Sequence, residues 1–129
     1  MKKYPLVFFF IFSMGIFSSC KKEGTGGMAT IAAFPKHHET PVKGATVYVK
    51  FGAKEFPGKN FSDYDLAVKG ATSEEHIHIE NLKWGDYYLY AVGYDSTIFK
   101  EVRGGLAIKI KRSEREEEMD AQIHVTEEN

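Results

Sequence analysis

Apolar and polar residues alternate along most of this chain, and the alternation limits the folds that it can adopt. Val47, Val49 and Phe51, for example, are separated by single, more polar residues. A period of two places successive side chains on opposite faces of a β-strand. The pattern predicts about seven short strands, at residues 30–36, 45–51, 65–69, 76–80, 87–92, 106–111 and 119–125. Strands of this kind favour a single antiparallel β-sandwich of the Ig-like or prealbumin-like type.

Turn-forming residues separate the predicted strands. Gly44 and Gly85 each precede a strand, and Gly104-Gly105 predicts a further turn. Pro35 interrupts the first strand, and because proline cannot donate a backbone hydrogen bond, we expect that strand at a sheet edge. The charged residues 113–119 predict a turn that leads into the last strand.

Length, charge and cysteine content exclude several classes of protein. The chain has 129 residues, which suffices for one domain. A hydrophobic content of 43% excludes a wholly disordered chain. The formal net charge of −1 argues against a nucleic acid partner. The single cysteine, Cys20, excludes an internal disulfide framework and a cysteine-rich zinc site.

The first 19 residues have the features of a secretory signal peptide. Lys2-Lys3 precede an apolar run over residues 6–17 that falls short of the roughly 20 residues needed to span a bilayer. The run ends at Phe17-Ser18-Ser19-Cys20, which resembles the lipobox of bacterial lipoproteins. The resemblance implies a lipoprotein signal peptide over residues 1–19 and lipidation of Cys20. Acyl chains on this cysteine would anchor the protein to a lipid bilayer.

A polar, glycine-rich stretch follows the cysteine, and residues 20–28 are predicted to form a flexible tether. Eight extended residues reach about 26 Å, which would lift a domain off the lipid surface. The β-sandwich domain would then occupy residues 29–129. These features predict a lipid-anchored protein of the bacterial cell envelope. We favour the outer membrane, with the periplasmic and surface-facing sides both left open.

Two motifs in the β-domain resemble those of carboxypeptidase regulatory-like domains. Residues 41–48 (PVKGATVY) are similar to the opening P-x-x-G-A-x-V of that family, and residues 79–89 (IENLKWGDYYL) to its f-x-n-L-x-x-G-x-Y-x-L stretch. In the second motif, Leu82 and Tyr87 suit inward anchors on either side of a turn. The resemblance implies a prealbumin-like sandwich with a non-catalytic, ligand-contacting role.

Histidines supply the candidate metal ligands, which are His37, His38, His76, His78 and His124. His76 and His78 are two apart in a predicted strand, so their rings leave the same face and can share one Zn or Cu ion. His37 and His38 point to opposite faces if that segment is extended, so only one of them could complete the site, with or without His124. The alternative is that all five are solvated surface side chains.

Aromatic residues supply a candidate surface for a protein or glycan partner. Tyr88 and Tyr90 share one strand face if Leu89 points into the core, and the long connection at residues 52–62 adds two phenylalanines. The candidate partner-binding residues are Tyr48, Phe56, Phe61, Tyr88, Tyr90 and Tyr94. The alternative is ordinary packing of these rings across strands beneath a loop.

Sequence motifs of catalysis are missing from the chain. It has no G-x-S-x-G elbow, glycine-rich phosphate loop or H-E-x-x-H motif. It also lacks the C-terminal Tyr-Arg-Gly-Ser signature of transthyretin-like hydrolases, which share this type of fold. We therefore predict a non-catalytic envelope lipoprotein, without a cofactor, whose sandwich contacts a protein or glycan. A Zn- or Cu-binding lipoprotein is the alternative, and a hydrolase is a third, weaker interpretation.

Overall fold

The structure of the chain, a computed structural model, describes residues 22–127. The predicted signal peptide and the predicted lipidation site Cys20 lie outside these residues. The described chain forms two β-sheets that pack face to face as a sandwich, as the alternation predicted. Its strands are β1 (Thr25–His37), β2 (Thr40–Pro41), β3 (Thr46–Phe51), β4 (Leu66–Lys69), β5 (Ile77–Leu82), β6 (Gly85–Asp95), β7 (Lys100–Ile110), β8 (Glu118–His124) and β9 (Thr126–Glu127). None of the helical turns between residues 22 and 127 has the length and apolar character that crossing a membrane requires.

All seven predicted strands are present, and the two-residue strands β2 and β9 are additional. The first sheet contains β2, β1, β5 and β8, and the second has the order β4-β3-β6-β7-β9. Every pairing is antiparallel except that of β1 with β8, which is parallel from Thr30↔Glu118 to Lys36↔His124. The predicted antiparallel sandwich is therefore confirmed, with this one parallel pair as an exception.

The first strand lies inside its sheet rather than at the predicted edge. β1 pairs with β5 along one side and with β8 along the other. Pro35 fits there because the pairing with β5 ends at Ala33↔Ile77, before the proline. The Pro35 carbonyl accepts a hydrogen bond from the Val42 N–H at 2.9 Å. Because the N–H and C=O groups of one strand residue point to the same side, the missing N–H of Pro35 is on the side away from β8.

Gly104 and Gly105 lie within β7 and do not form the predicted turn. The turn between β6 and β7 occupies residues 96–99 instead. A Cβ atom on Gly104 would collide with the backbone oxygen of His124. Glycine is therefore required here for close approach of two backbones, which sequence cannot distinguish from a turn.

The predicted flexible tether is also wrong for most of its length. β1 begins at Thr25, and the backbone N–H of Lys83 donates to the Gly24 carbonyl at 2.8 Å. The Glu23 carboxylate accepts a hydrogen bond from the Asp86 N–H at 3.2 Å. The segment from Glu23 onward is thus bound to the turn between β5 and β6.

The core lies between the two sheets. Leu82 and Tyr87, the predicted inward anchors, are both fully buried, and the intervening Gly85 has φ +139°, a conformation that favours glycine. The largest buried side chains come from both sheets and include Ile31, Ile79, Val47, Leu89, Ile110 and Ile123. The segment 113–119 begins with a short turn and leads into β8, as predicted.

Candidate metal-binding site

A buried histidine–carboxylate pair joins the ends of two strands at one end of the sandwich. His37 is the last residue of β1 and Asp95 the last of β6, and their side chains are 5% and 6% exposed. His37 Nδ1 lies 2.7 Å from Asp95 Oδ2. The other carboxylate oxygen, Oδ1, accepts hydrogen bonds from the Thr97 hydroxyl at 2.6 Å and the Thr97 N–H at 2.9 Å.

These hydrogen bonds determine the protonation of the pair. The bond from the Thr97 hydroxyl, followed by those from His37 and the Thr97 N–H, lowers the pKa of Asp95 to about 2. An ionised carboxylate can only accept hydrogen bonds, so His37 Nδ1 carries the hydrogen and donates this hydrogen bond to Asp95. The other ring nitrogen, Nε2, is left to face a different group.

That group is Glu127, in β9. Its Oε1 lies 3.4 Å from His37 Nε2, and its Oε2 lies 3.8 Å from Lys100 Nζ. β9 reaches this position by pairing with β7, where Val102 is opposite Glu127. A second carboxylate therefore faces the imidazole on the side away from Asp95.

His38 completes the cluster because the backbone turns sharply after β1. His38 and Glu39 have φ angles of 52° and 45°, both left-handed, and they connect the paired residues His37 and Thr40. Two left-handed residues in a two-residue hairpin loop are typical of a type I′ turn, which usually contains Asn-Gly. The turn brings the His37 and His38 rings to a centroid separation of 4.4 Å. The segment is therefore not extended, and the expectation that only one of the two histidines could join a site does not apply to it.

One ligand atom each from His37, His38 and Glu127 lies within 4.8 Å of the others. Within residues 22–127 this is the one set of three or more His, Cys, Asp or Glu side chains close enough to share an ion. Two imidazoles and a carboxylate form a donor set that suits Zn²⁺ or Cu²⁺. We call these three residues the His37 cluster.

The predicted core ligands do not belong to the His37 cluster. His76 and His78 do lie on one face, with ring centroids 4.6 Å apart, but they lie beside Phe34 and Glu118 on the outside of the first sheet. His124 is exposed on β8. Among residues 22–127 no third ligand converges on His76 and His78, so a site centred on them stays a prediction that the geometry does not favour.

Most of the predicted partner-binding aromatics lie together on the outer face of the second sheet. Tyr48 and Phe61 are stacked with centroids 4.2 Å apart, and Phe56 contacts Tyr88 and Tyr90 at 5.8 and 5.2 Å. The 52–62 connection folds over the sheet, and Tyr90 is only 3% exposed. The structure thus favours packing beneath a loop for Tyr48 and Tyr90.

A cleft remains open beside this packed cluster. It has a volume of about 290 Å³, and its lining residues include Phe56, Tyr88, Arg103 and Gly105. Phe56 is 47% exposed, and the Tyr88 ring covers Gly105, where a Cβ atom would collide with the Tyr88 hydroxyl. We call this opening the Tyr88 cleft.

Tyr94 lies apart from the other candidate aromatics. It is exposed near the end of β6, close to the turn at residues 96–99, where Ile98 and Phe99 are also exposed. Tyr64, which is not one of the predicted partner-binding residues, does belong to the aromatic cluster, since it stacks on Tyr90 with ring centroids 5.7 Å apart. Burial raises its pKa to about 12. In the sequence, only the position of Tyr64 just after a long connection with two other aromatic residues could have indicated that it belongs to this cluster.

Asp95 and Glu127 were also missed as site residues. Asp95 is typical of turn chemistry in the sequence, and Glu127 is one of several acids near the C-terminus. The chain matches no protein-family model, no curated protein and no solved structure. The function must therefore be inferred from the site itself.

Proposed function

We propose that this chain is a non-catalytic, lipid-anchored envelope protein that binds one Zn²⁺ or Cu²⁺ ion at the His37 cluster. The observation that supports this most directly is the 3.4 Å separation of His37 Nε2 from Glu127 Oε1. Two ligands of a tetrahedral zinc ion, each 2.0–2.2 Å from the metal, are about 3.3 Å apart. A hydrogen bond between an imidazolium and a carboxylate is usually shorter, about 2.7–2.9 Å.

The bond between His37 and Asp95 supports the same function. Histidine ligands generally donate their second ring N–H to a carboxylate, which fixes the tautomer and directs the other nitrogen to the metal. Asp95 has this role toward Nδ1 of His37. His38 Nδ1 or Nε2 and the Glu127 carboxylate would supply the other two ligands, and a fourth position would remain for water or a partner's donor group.

The test is metal binding to the full, acylated chain in detergent, measured by native mass spectrometry and by calorimetry with Zn²⁺ and Cu²⁺. We expect one ion per chain. His38→Asn is the sharpest variant, because asparagine tolerates the left-handed turn but removes the imidazole. It should abolish stoichiometric binding, as should Glu127→Gln. Asp95→Asn should weaken binding by about 10–100-fold.

The matched control is the double variant His76→Asn with His78→Asn. It removes two neighbouring histidines on which no third ligand converges within residues 22–127, so binding should be unchanged. The alternative state of the cluster is a metal-free ion pair, in which a protonated His37 bridges Asp95 and Glu127. Absence of a bound ion in the native protein, or equal loss in the control, would overturn metal binding at the His37 cluster.

A second candidate function is glycan binding in the Tyr88 cleft. It is favoured by the half-exposed Phe56 ring beside the Arg103 side chain, since aromatic faces stack on sugar rings. Phe56→Ala should remove binding to soluble envelope oligosaccharides without unfolding the chain. Phe99→Ala, at the far tip of the β6–β7 hairpin, is the control. Equal binding by both variants and the native protein would eliminate this cleft as the site.

A further inference from the structure

The end of the sandwich opposite the His37 cluster has an exposed surface of mixed apolar and basic character. It surrounds the turn between β5 and β6 and the start of β1. Met28 is 70% exposed there, and Trp84 lies partly open beside it. A shallow cleft on this surface is lined by Lys22, Gly27, Met28, Lys83, Trp84, Arg115 and Glu116. We call this surface the Trp84 end.

The start of the described chain is fixed at the Trp84 end. Lys22 Nζ lies 3.6 Å from the centre of the Trp84 ring, a cation–π contact. Glu23 accepts a hydrogen bond from the Asp86 N–H, and the Gly24 N–H donates to the buried Tyr87 hydroxyl. The chain is therefore held against the β5–β6 turn from Lys22 onward, so these residues are not available to act as a spacer.

The remaining distance to the lipidation site is short. Only Lys21 separates Cys20 from Lys22, and two extended residues reach about 7 Å. We propose that the Trp84 end rests directly on the phospholipid headgroups of the membrane that holds Cys20. This inference depends on acylation of Cys20, which is part of the proposed function.

The chemistry of the Trp84 end suits a phospholipid interface. Tryptophan is enriched at the level of the headgroups, where its ring is amphipathic, and an exposed methionine can enter the same layer. Lys22, Lys83 and Arg115 line the same cleft as the ring, which has one acidic residue in its lining, Glu116. Basic side chains near a bilayer favour anionic headgroups. The short connection from Lys22 to Cys20 and a surface that suits phospholipid headgroups thus occur at the same end of the molecule.

Contact of the Trp84 end with the membrane would place the His37 cluster on the side of the domain that faces away from the bilayer. β6 runs from Gly85, at the Trp84 end, to Asp95, at the cluster. Eleven strand residues extend about 34 Å. A bound metal ion would then be presented roughly one domain length from the bilayer, accessible to a partner from the aqueous side.

Fluorescence quenching tests this arrangement, because Trp84 is the only tryptophan in the chain. The full acylated protein is reconstituted in vesicles of phosphatidylethanolamine and phosphatidylglycerol that contain a phospholipid with a nitroxide on its headgroup. We expect the Trp84 emission to shift to the blue and to lose most of its intensity. The matched control, Trp84→Phe with Phe99→Trp, moves the fluorophore to the distal hairpin, where Phe99 is 78% exposed. Its emission should be unaffected.

Mass spectrometry of the same sample distinguishes the two ways in which the inference could fail. An acylated chain whose Trp84 is not quenched, or is quenched no more than the Phe99→Trp control, would overturn the membrane contact while leaving the anchor intact. A chain without acyl chains on Cys20 would overturn the anchor, and the membrane contact with it. The quenching experiment on the native sequence needs no variant, so misfolding of a mutant cannot obscure the result.

Discussion

Gly24 and Tyr87, 63 residues apart in the sequence, are joined by a buried hydrogen bond in which the Gly24 N–H donates to the phenol oxygen at 2.9 Å. The Tyr87 hydroxyl in turn donates to the Lys83 carbonyl at 2.6 Å. One side chain in the core thus fixes both the entering chain and the β5–β6 turn. This bond is one of several contacts that make the N-terminal segment part of the domain, together with those of the Gly24 carbonyl to Lys83 and of Glu23 to Asp86.

We expect Tyr87→Phe to lower the free energy of unfolding by about 1–3 kcal/mol, because it leaves the buried Gly24 N–H without an acceptor. Urea denaturation measures the change, and hydrogen exchange of residues 22–28 should accelerate more than that of the core strands. Tyr94→Phe removes an exposed hydroxyl and is the control. If both variants were equally stable, the bond to Gly24 would have no role in holding the segment.

The two neighbouring glycines of β7 should differ in their tolerance of alanine. A Cβ atom on Gly104 would collide with the His124 backbone, whereas one on Gly105 would meet only the Tyr88 side chain, which can move. Gly104→Ala should destabilise the protein by about 1–3 kcal/mol and Gly105→Ala by clearly less. Thermal unfolding of the two variants gives the comparison. The reverse order would contradict the close approach of β7 and β8.

The strands could be predicted from sequence because their alternation is a local property. The partner of each strand could not, since pairing of β1 with β8 joins segments about 90 residues apart. The first five residues of β1, 25–29, were missed for a related reason: Gly24, Gly26 and Gly27 have the composition of a tether. Gly27 allows close packing, since a Cβ atom there would collide with the Leu82 carbonyl. Gly24 and Gly26 have φ angles of 140° and 102°, which favour glycine.

The candidate site was harder to predict than the fold. Sequence spacing correctly placed His76 and His78 on one face, but spacing says nothing about a third ligand from another strand. The proximity of His37 and His38 depends on a left-handed turn without glycine, and no residue pattern marks such a turn. Asp95 and Glu127 come to His37 only through tertiary structure.

The aromatic cluster makes a prediction about alkaline pH. Burial, with smaller effects from Tyr90, Tyr88 and Asp63, raises the pKa of Tyr64 from 10.0 to about 12. Between these two values the unfolded phenol is ionised while the folded one stays protonated, so folding stability falls as pH rises from 10 to 12. Absorbance titration of tyrosinate should show a late-ionising phenol that Tyr64→Phe removes.

The control for this prediction is Tyr94→Phe, which removes an exposed tyrosine and should leave the late-ionising phenol in place. The urea midpoint should fall between pH 10 and pH 12 in the native protein, and it should fall by less in Tyr64→Phe. If removal of Tyr64 left the titration above pH 10 unchanged, its burial against Tyr90 would be contradicted.

Strain in the His38-Glu39 turn predicts a stabilising substitution. Left-handed backbone angles cost an L-residue other than glycine about 1–2 kcal/mol, and Glu39 has φ 45°. Glu39→Gly should therefore raise the melting temperature, corresponding to up to about 1 kcal/mol after allowance for the greater freedom of glycine in the unfolded chain. Because Glu39 is not a ligand in the His37 cluster, binding of Zn²⁺ should be retained.

Lys43→Gly, in the next turn but without a left-handed angle, is the control and should not stabilise the protein. Equal effects of the two substitutions would mean that the turn at His38 is not strained, and the backbone argument for the placement of its imidazole would fail.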